Sequence, residues 1–251
     1  YTAYDGVNAM GALAVSKDLI TWEKKGLIVP QIPYAEFSRL AGSKGSINDK
    51  YLRYNLPKVT HEKPDNTLFV WDKNVIFFPR RIDNKLYFLH RIKPDIQIVC
   101  FDQLEILNNE FWQNYFLHLN EHIVLTPKYK HEVSYIGGGC PPIETKHGWL
   151  IIYHGVCDTL KGYVYSACAA LLDLKNPQLE IARLPFPLFS PEMTWELKGE
   201  VNNVCFPTGT VIREETLYIY YGAADERIAC ASINMTLLLN ELLQNTIKNE
   251  K

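Results

Sequence analysis

Gly148-Trp-Leu-Ile-Ile-Tyr-His-Gly155, followed after a short interval by Val164-Tyr-Ser-Ala-Cys-Ala-Ala-Leu-Leu-Asp173, is the stretch that decides the fold. Each run is short and rich in aromatic, β-branched or small apolar residues, which reads as strand rather than helix. The same texture recurs three times elsewhere. Tyr1-Thr-Ala-Tyr-Asp-Gly6 leads to Ala12-Leu-Ala-Val-Ser-Lys-Asp18 and closes on Trp22. Lys85-Leu-Tyr-Phe-Leu-His-Arg91 leads to Ile96-Gln-Ile-Val-Cys-Phe-Asp102 and closes near Trp112. Thr216-Leu-Tyr-Ile-Tyr-Tyr-Gly222 leads to Arg227-Ile-Ala-Cys-Ala-Ser-Ile233. Three of the units open after a turn signal: Asp83-Asn84, Lys146-His147-Gly148 and Glu214-Glu215.

A unit returning about every 60–85 residues fits a small four-stranded sheet with variable loops. Radial repetition of such sheets leaves only short, protected edges, which is how a propeller manages its strands. A β-sandwich competes, but it does not require one strand pair to recur four times. The reading is therefore an all-β chain: one β-propeller domain over residues 1–251, incomplete at its N-terminus, with a short C-terminal helix. Tyr1 starts directly in a strand-like run, so sequence is expected upstream of it. The polar, Pro- and charge-rich stretch from Val29 to Thr67 reads as a long loop at a blade edge or over the pocket. Met235 to Lys251 places Leu238, Leu239, Leu242 and Leu243 on one helical stripe.

Composition narrows the function classes. The 251 residues are 47% hydrophobic and 22% charged, enough for a sizeable core, and the net charge of −2 provides no basic field for nucleic acid or an anionic membrane. No apolar run reaches the length of a membrane span. The six cysteines are scattered without CxxC or metal-type spacing, which favours reduced, buried thiols and a cytoplasmic home, though cysteine arithmetic alone leaves an extracytoplasmic one open. Among the histidines, His61, His90, His118, His122, His131 and His147 lack paired metal spacing, so no metal is expected; His118 and His122 read as surface residues and His90 as structural. Gly137-Gly-Gly139 has no Gly-Lys-Ser/Thr after it and reads as a turn needing positive φ, not a nucleotide loop.

Polar residues that interrupt otherwise apolar strands and strand ends are the candidate chemistry: Asp5, Lys73, Arg91, His154, Tyr165, Glu196 and Asp225. Burying a charge costs several kcal/mol unless it is paired or ligand-bound. Plainer readings stand beside this one. His154 fits a hydrogen-bonded core residue; Lys73 and Arg91 could bridge to Asp72 or Glu144; Asp225 could be a turn residue. Trp22, Trp71 and Trp112 read as packing anchors, whereas Trp149 and Trp195 could serve as stacking platforms for a ligand ring.

The ordered series of motifs resembles glycoside hydrolase family 130, the β-mannoside phosphorylases and β-mannosidases. The matching stretches are Tyr1 to Gly6 with Ser16-Lys-Asp-Leu19; Lys73-Asn-Val-Ile-Phe-Phe-Pro79 with Leu89-His-Arg91; Gly137 to Thr145 with Gly148 to Val156; Leu171-Leu-Asp173 with Asn176-Pro177; Glu200 to Gly209; and Tyr220-Tyr-Gly-Ala-Ala-Asp225. They span nearly the whole chain in the family's order. The resemblance implies an all-β, five-bladed β-propeller, here lacking most of its first blade, and an inverting phosphorolysis of β-mannosides to α-mannose 1-phosphate. It assigns phosphate to Lys73, Arg91, His154 and Tyr165, and sugar to Asp5, Glu196 and Asp225. It implies no organic cofactor, with inorganic phosphate as co-substrate, an oligosaccharide or disaccharide as partner, and homo-oligomerisation open. The family's general acid is an aspartate in an Asp-Pro-Arg type element, which would precede Tyr1. No Asp-Pro-Arg occurs in this chain. Proton delivery is worth roughly 10²–10⁴-fold in rate, so the stretch shown is expected to be inactive or nearly so. A β-mannoside hydrolase on the same fold and a non-catalytic sugar-binding propeller are the rival readings.

Overall fold

The computed structural model describes residues 1–43, 47–55 and 68–246. Its strands gather into four antiparallel sheets, one for each repeat unit. The first contains β1 (Thr2–Tyr4), β2 (Ala9–Val15) and β3 (Glu23–Leu27) in chain order. Two helices follow, α1 (Tyr34–Ala41) and α2 (Asp49–Tyr54). The second sheet orders β4 (Lys73–Phe77), β5 (Leu86–Arg91), β6 (Ile96–Phe101) and, after helix α3 (Asn109–Leu117), β7 (Ile123–Leu125).

The third sheet is built on the stretch that opened the reading. It uses β8 (Tyr135–Gly138), β9 (Ile143–Thr145), β10 (Gly148–Thr159), β11 (Gly162–Leu172) and β12 (Glu180–Arg183). Its order is β12-β11-β10-β8, with β9 also pairing with β10. β10 is buried from Gly148 to Val156, so both of its faces are covered. This explains a continuous apolar run in place of alternation. After the short helix α4 (Thr194–Leu197), the fourth sheet joins β13 (Cys205–Arg213), β14 (Thr216–Ala223) and β15 (Arg227–Asn234). The chain then enters α5 (Met235–Gln244), whose Leu238 and Leu242 pack with Ala182, Leu184, Leu217 and Ile219. Residues 247–251 of the expected tail lie outside the described residues, as does His61.

Three expectations are corrected. The stretch from Val29 to Thr67, read as a loop, holds α1 and α2 in its described part. Phe37, Leu40 and Ala41 share one buried helical face, and Tyr51 is fully buried, so four apolar residues hidden among polar ones were sufficient to anchor two helices. Residues 44–46 and 56–67 of that stretch lie outside the described residues. Gly137 and Gly138 are not a turn: they lie in β8, and neither they nor Gly139 has positive φ. Trp112, expected near the close of a strand pair, sits on α3 and packs against Tyr115 and Phe116. The expected turns do take left-handed backbone, with φ of 47° and 63° at Asp83 and Asn84 and 56° at Glu214. Among the described residues no helix is long and apolar enough to cross a membrane.

Candidate anion site

Lys73 and Arg91 lie directly opposite each other across β4 and β5. Opposed residues on antiparallel strands project to the same face, and like charges placed this way repel. Neither forms an ion pair with a carboxylate among the described residues. The acids that could have neutralised them are engaged elsewhere: Glu144 accepts from Arg80, and Asp72 bonds His90 Nδ1 at 2.8 Å. Arg91 is 5% exposed, and its buried Nε has no hydrogen-bond partner. Lys73 is half-buried, with Nζ 4.8 Å from the centre of the Trp71 ring. Trp71, read as a packing anchor, is instead 39% exposed and forms a platform beneath the ammonium.

The third sheet supplies the next groups. His154 is fully buried on β10, and its Nε2 lies 3.4 Å from Arg91 Nη1. Its partners across the sheet are Gly137 on β8 and Ala167 on β11, small residues that leave room for the guanidinium. A Cβ on Gly137 would fall 2.6 Å from His154 Nε2 and 2.9 Å from Arg91 Cδ. That close approach, not backbone freedom, is why glycine stands here. Two residues along β10, Val156 is flanked by Tyr135 and Tyr165, whose hydroxyls bond each other. The fourth sheet adds Phe206, its ring 4.4 Å from that of His154.

Behind this group the strand ends are fixed. Asn74 has φ of 57° in a bulge between Lys73 and Ile76, and its Nδ2 donates to the Gly138 carbonyl at 3.0 Å. His90, neighbour of Arg91, is buried between Asp72 and Tyr115, bonding Tyr115 Oη at 2.6 Å. Its structural reading holds. His122 is not a plain surface residue: its ring stacks on Tyr115 at 4.1 Å, and burial, followed by the neighbouring His90, lowers its pKa to about 4.

Electrostatics follow from the geometry. Burial and then the Arg91 charge bring Lys73 down to about 8, against the upward pull of Asp225. Burial lowers Arg91, with Tyr135, Tyr165 and Asp72 opposing it. Burial, then Arg91, Lys73 and Lys93, push His154 well below the usual histidine range, so the imidazole is neutral at pH 7. A positive field among partly buried side chains, with tyrosine hydroxyls beside it, is suited to an oxyanion.

The three proposed sugar residues are placed differently. Asp225 is exposed in the β14–β15 turn, where Ala224 and Asp225 have φ of 50° and 54°. Ala224 N donates to Val204 O at 3.0 Å and Val201 N donates to Ala224 O at 3.1 Å, so packed backbone holds the left-handed turn. Its charge reaches Lys73, which links this turn to the cations. Asp5 is exposed, and its carboxylate accepts from Val7 N and Asn8 N at 2.9 and 2.6 Å, bonds that lower its pKa. The same loop is tied toward Lys73, because Trp71 Nε1 donates to Val7 O at 3.0 Å. Glu196, 5% exposed on α4, accepts from Glu192 N, Met193 N and Tyr221 Oη at 2.7, 2.8 and 2.6 Å. It lines a cleft of about 370 Å³ with Phe189, Ser190, Met193 and Tyr221. The structure thus gathers Lys73, Arg91, His154 and Tyr165, brings Asp225 within their field, and gives Asp5 and Glu196 their own local partners.

Trp195 is 39% exposed on α4. Trp149 cannot stack on a sugar: it is fully buried, edge-on to Phe78 at 5.2 Å, with Nε1 donating to Leu174 O. Asn74, Tyr135 and Phe206 also flank these residues and were not singled out from sequence. Tyr135 carried the best signal, a tyrosine immediately before the glycine strand that pairs with the histidine strand. One further grouping, His131, Glu132 and Cys168, has the donor atoms of a metal site. Both Glu132 oxygens already accept, from Lys128 N, Tyr129 N, Arg183 and Tyr153.

The family model for glycoside hydrolase family 130, described as beta-1,4-mannooligosaccharide phosphorylase, matches residues 1–244. The 1,2-beta-oligomannan phosphorylase of Thermoanaerobacter sp. (strain X514) is 33% identical over 223 residues, covering 89% of this chain and 58% of that protein. The beta-1,4-mannooligosaccharide phosphorylase of Ruminococcus albus is 33% identical over 180 residues, covering 71% of this chain and 52% of that protein. The solved beta-1,2-mannobiose phosphorylase of Listeria innocua, in complex with beta-1,2-mannobiose, superposes with a TM-score of 0.68 at 26% identity, covering 96% of this chain and 55% of that one. This chain therefore spans about half the length of the relatives it matches. With the family model matched over almost every residue, the chain belongs to glycoside hydrolase family 130.

Proposed function

We propose that this chain provides the phosphate-holding part of an inverting β-mannoside phosphorylase, and that its four sheets are blades of a five-bladed propeller. Inorganic phosphate attacks the anomeric carbon from the face opposite the glycosidic bond. The C–O bond breaks, the leaving oxygen takes a proton, and α-mannose 1-phosphate results. The carrying observation is the pair Lys73 and Arg91, without a carboxylate ion pair among the described residues and opposed across two strands beside the buried His154. An arginine fork and a lysine point charge converging on one hollow are the groups that grip a phosphate dianion. Tyr165 adds a hydroxyl, and Asp225 faces the sugar from the strained turn. Asp5 and Glu196 shape the sugar-binding floor through the segments they hold. The phosphorylase names of the relatives support the reaction, and the mannobiose complex supports the substrate class. The scattered spacing of the six cysteines, without a CxxC pair, favours the reducing, cytoplasmic setting.

The test is incubation with β-1,2- and β-1,4-mannobiose, with and without phosphate. It is run on the chain alone and on the chain joined to the N-terminal portion of a 130-family relative. Mannose 1-phosphate formed by the joined protein only when phosphate is present is the expected result. Mannose released at the same rate without phosphate would indicate a hydrolase. Sugar binding without turnover in the joined protein would indicate a non-catalytic propeller.

A further inference from the structure

Ala224 and Asp225 are left-handed in succession, and neither is glycine. Such backbone persists only where its surroundings over-determine it, and it argues for a function at the residue it presents. One segment, residues 198–204, grips both sides of this turn. Val201 N donates to Ala224 O at 3.1 Å, and Ala224 N donates to Val204 O at 3.0 Å. Gly199 completes the contact. A Cβ there would fall 2.5 Å from Ala224 O and 2.7 Å from Ala224 Cβ. Gly199 is exposed and its φ is not left-handed, so the nearness of the turn alone excludes a side chain at this position.

The same segment is tied to the anion site. Tyr165 N donates to Asn203 O at 2.9 Å, and Val204 N donates to Glu196 O at 3.0 Å. Asn203 is itself left-handed, with φ of 62°, and Asn202 Oδ1 accepts from Gly199 N at 3.2 Å, which folds the segment onto itself. Adjacent carbonyls, Asn203 O and Val204 O, thus hold Tyr165 of the third sheet on one side and the Asp225 turn of the fourth on the other. A side chain carried on backbone fixed in this way is aimed more closely than one on a free loop.

We propose that residues 198–204 are a positioning segment that sets the Asp225 carboxylate in register with Tyr165 and Lys73, and that Gly199 is the positioning residue on which this register depends. The inference rests on the reading of Tyr165 as a phosphate ligand and Asp225 as a sugar ligand, and deepens it: the segment fixes the spacing between the two halves of the site. The Asp225 charge reaches Lys73, so the ammonium reports where the turn stands.

The test follows the Lys73 side chain by NMR titration in the unaltered chain and in Asp225→Asn, Gly199→Ala and Asn202→Ala, the signal being assigned by its loss in Lys73→Met. Asp225→Asn is expected to lower the Lys73 midpoint, because it removes the carboxylate that raises it. Gly199→Ala is expected to lower it too, since the added methyl displaces the Ala224 carbonyl and the turn with it. Asn202→Ala, a change at an exposed residue that only releases Gly199 N, is expected to move the midpoint in the same direction, so the answer does not depend on one variant folding. A role confined to stability would lower the thermal midpoint and leave the Lys73 titration in place. That outcome in both Gly199→Ala and Asn202→Ala would overturn the inference, as would an unmoved titration in Asp225→Asn. Methyl β-mannoside binding, measured by calorimetry on the same chains, is expected to weaken roughly tenfold in Gly199→Ala, the loss of one hydrogen bond to a charged group. No mannoside binding by the unaltered chain, with the Lys73 titration moving as expected, would remove the sugar role of Asp225 and keep its positioning.

Discussion

Lys73 is held at a disadvantage that only a ligand removes. Its pKa of about 8 lies below the 10.5 of a free lysine, so the folded chain releases this proton before the unfolded chain does. Below pH 8 the destabilisation is fully present. Between pH 8 and 10.5 the unfolded state binds more protons, and stability rises with pH. Lys73→Met is therefore expected to raise the thermal midpoint at pH 7 by about 2–4 °C, the equivalent of about 1 kcal/mol after allowing for the water that still reaches the ammonium. The gain should shrink toward pH 10, and sulfate binding should weaken at least tenfold at pH 7. Thermal melts across pH and a sulfate titration check both halves. A variant less stable than the parent at pH 7 would mean that Lys73 is a structural ion rather than a binding one. Gly137 gives a complementary case. Gly137→Ala drives a methyl into His154 and Arg91, so it should cost about 1–3 kcal/mol and reduce sulfate affinity together. Denaturant unfolding and calorimetry on the one variant test whether the two losses coincide.

At the scale of elements, some of the chain was legible and some was not, for physical reasons. β5, β6, β10, β11, β14 and β15 were readable because aromatic and β-branched residues in short runs between turn residues have no helical reading. β8 was not, because glycine usually signals backbone freedom, whereas here it signals the closeness of His154 and Arg91 to the strand. α1 and α2 were obscured because their buried side chains are few and lie among polar neighbours. The candidate cations were visible as charges interrupting apolar strands. Tyr135 was not, because its role depends on which hydroxyl and which guanidinium it meets across separate strands. The C-terminal stripe was legible, and its value can be measured. Leu242 on α5 is fully buried and Leu237 is 65% exposed. Leu242→Ala should cost about 2–5 kcal/mol, whereas Leu237→Ala should stay within about 0.5 kcal/mol. Urea unfolding midpoints compare them directly, and equal effects would remove the assigned helix face.

At the scale of the whole molecule, the anion site is a junction between sheets. Lys73 and Arg91 come from the second sheet, Tyr135, His154 and Tyr165 from the third, and Phe206 and Asp225 from the fourth region of the chain. Without an anion, the cations of the second sheet repel each other across the strands and lower the proton affinity of His154 on the third. An oxyanion bound among them turns that repulsion into a shared attraction, and it can do so only in the folded chain, where the sheets meet. Ligand that binds the native state alone stabilises it by RT ln(1 + [L]/Kd), about 2.7 kcal/mol at a hundred times Kd. Phosphate or sulfate at that concentration should therefore raise the thermal midpoint by roughly 5–10 °C, and probes in the second and third sheets should report one shared shift. A tryptophan signal from Trp71, beside Lys73, can be compared with one from Trp149, buried in the third sheet, by replacing the other tryptophans with phenylalanine. Arg91→Gln should abolish the shift at both probes. A shift confined to Trp71 would mean that the anion is held by the second sheet alone, and the junction would then have no part in binding.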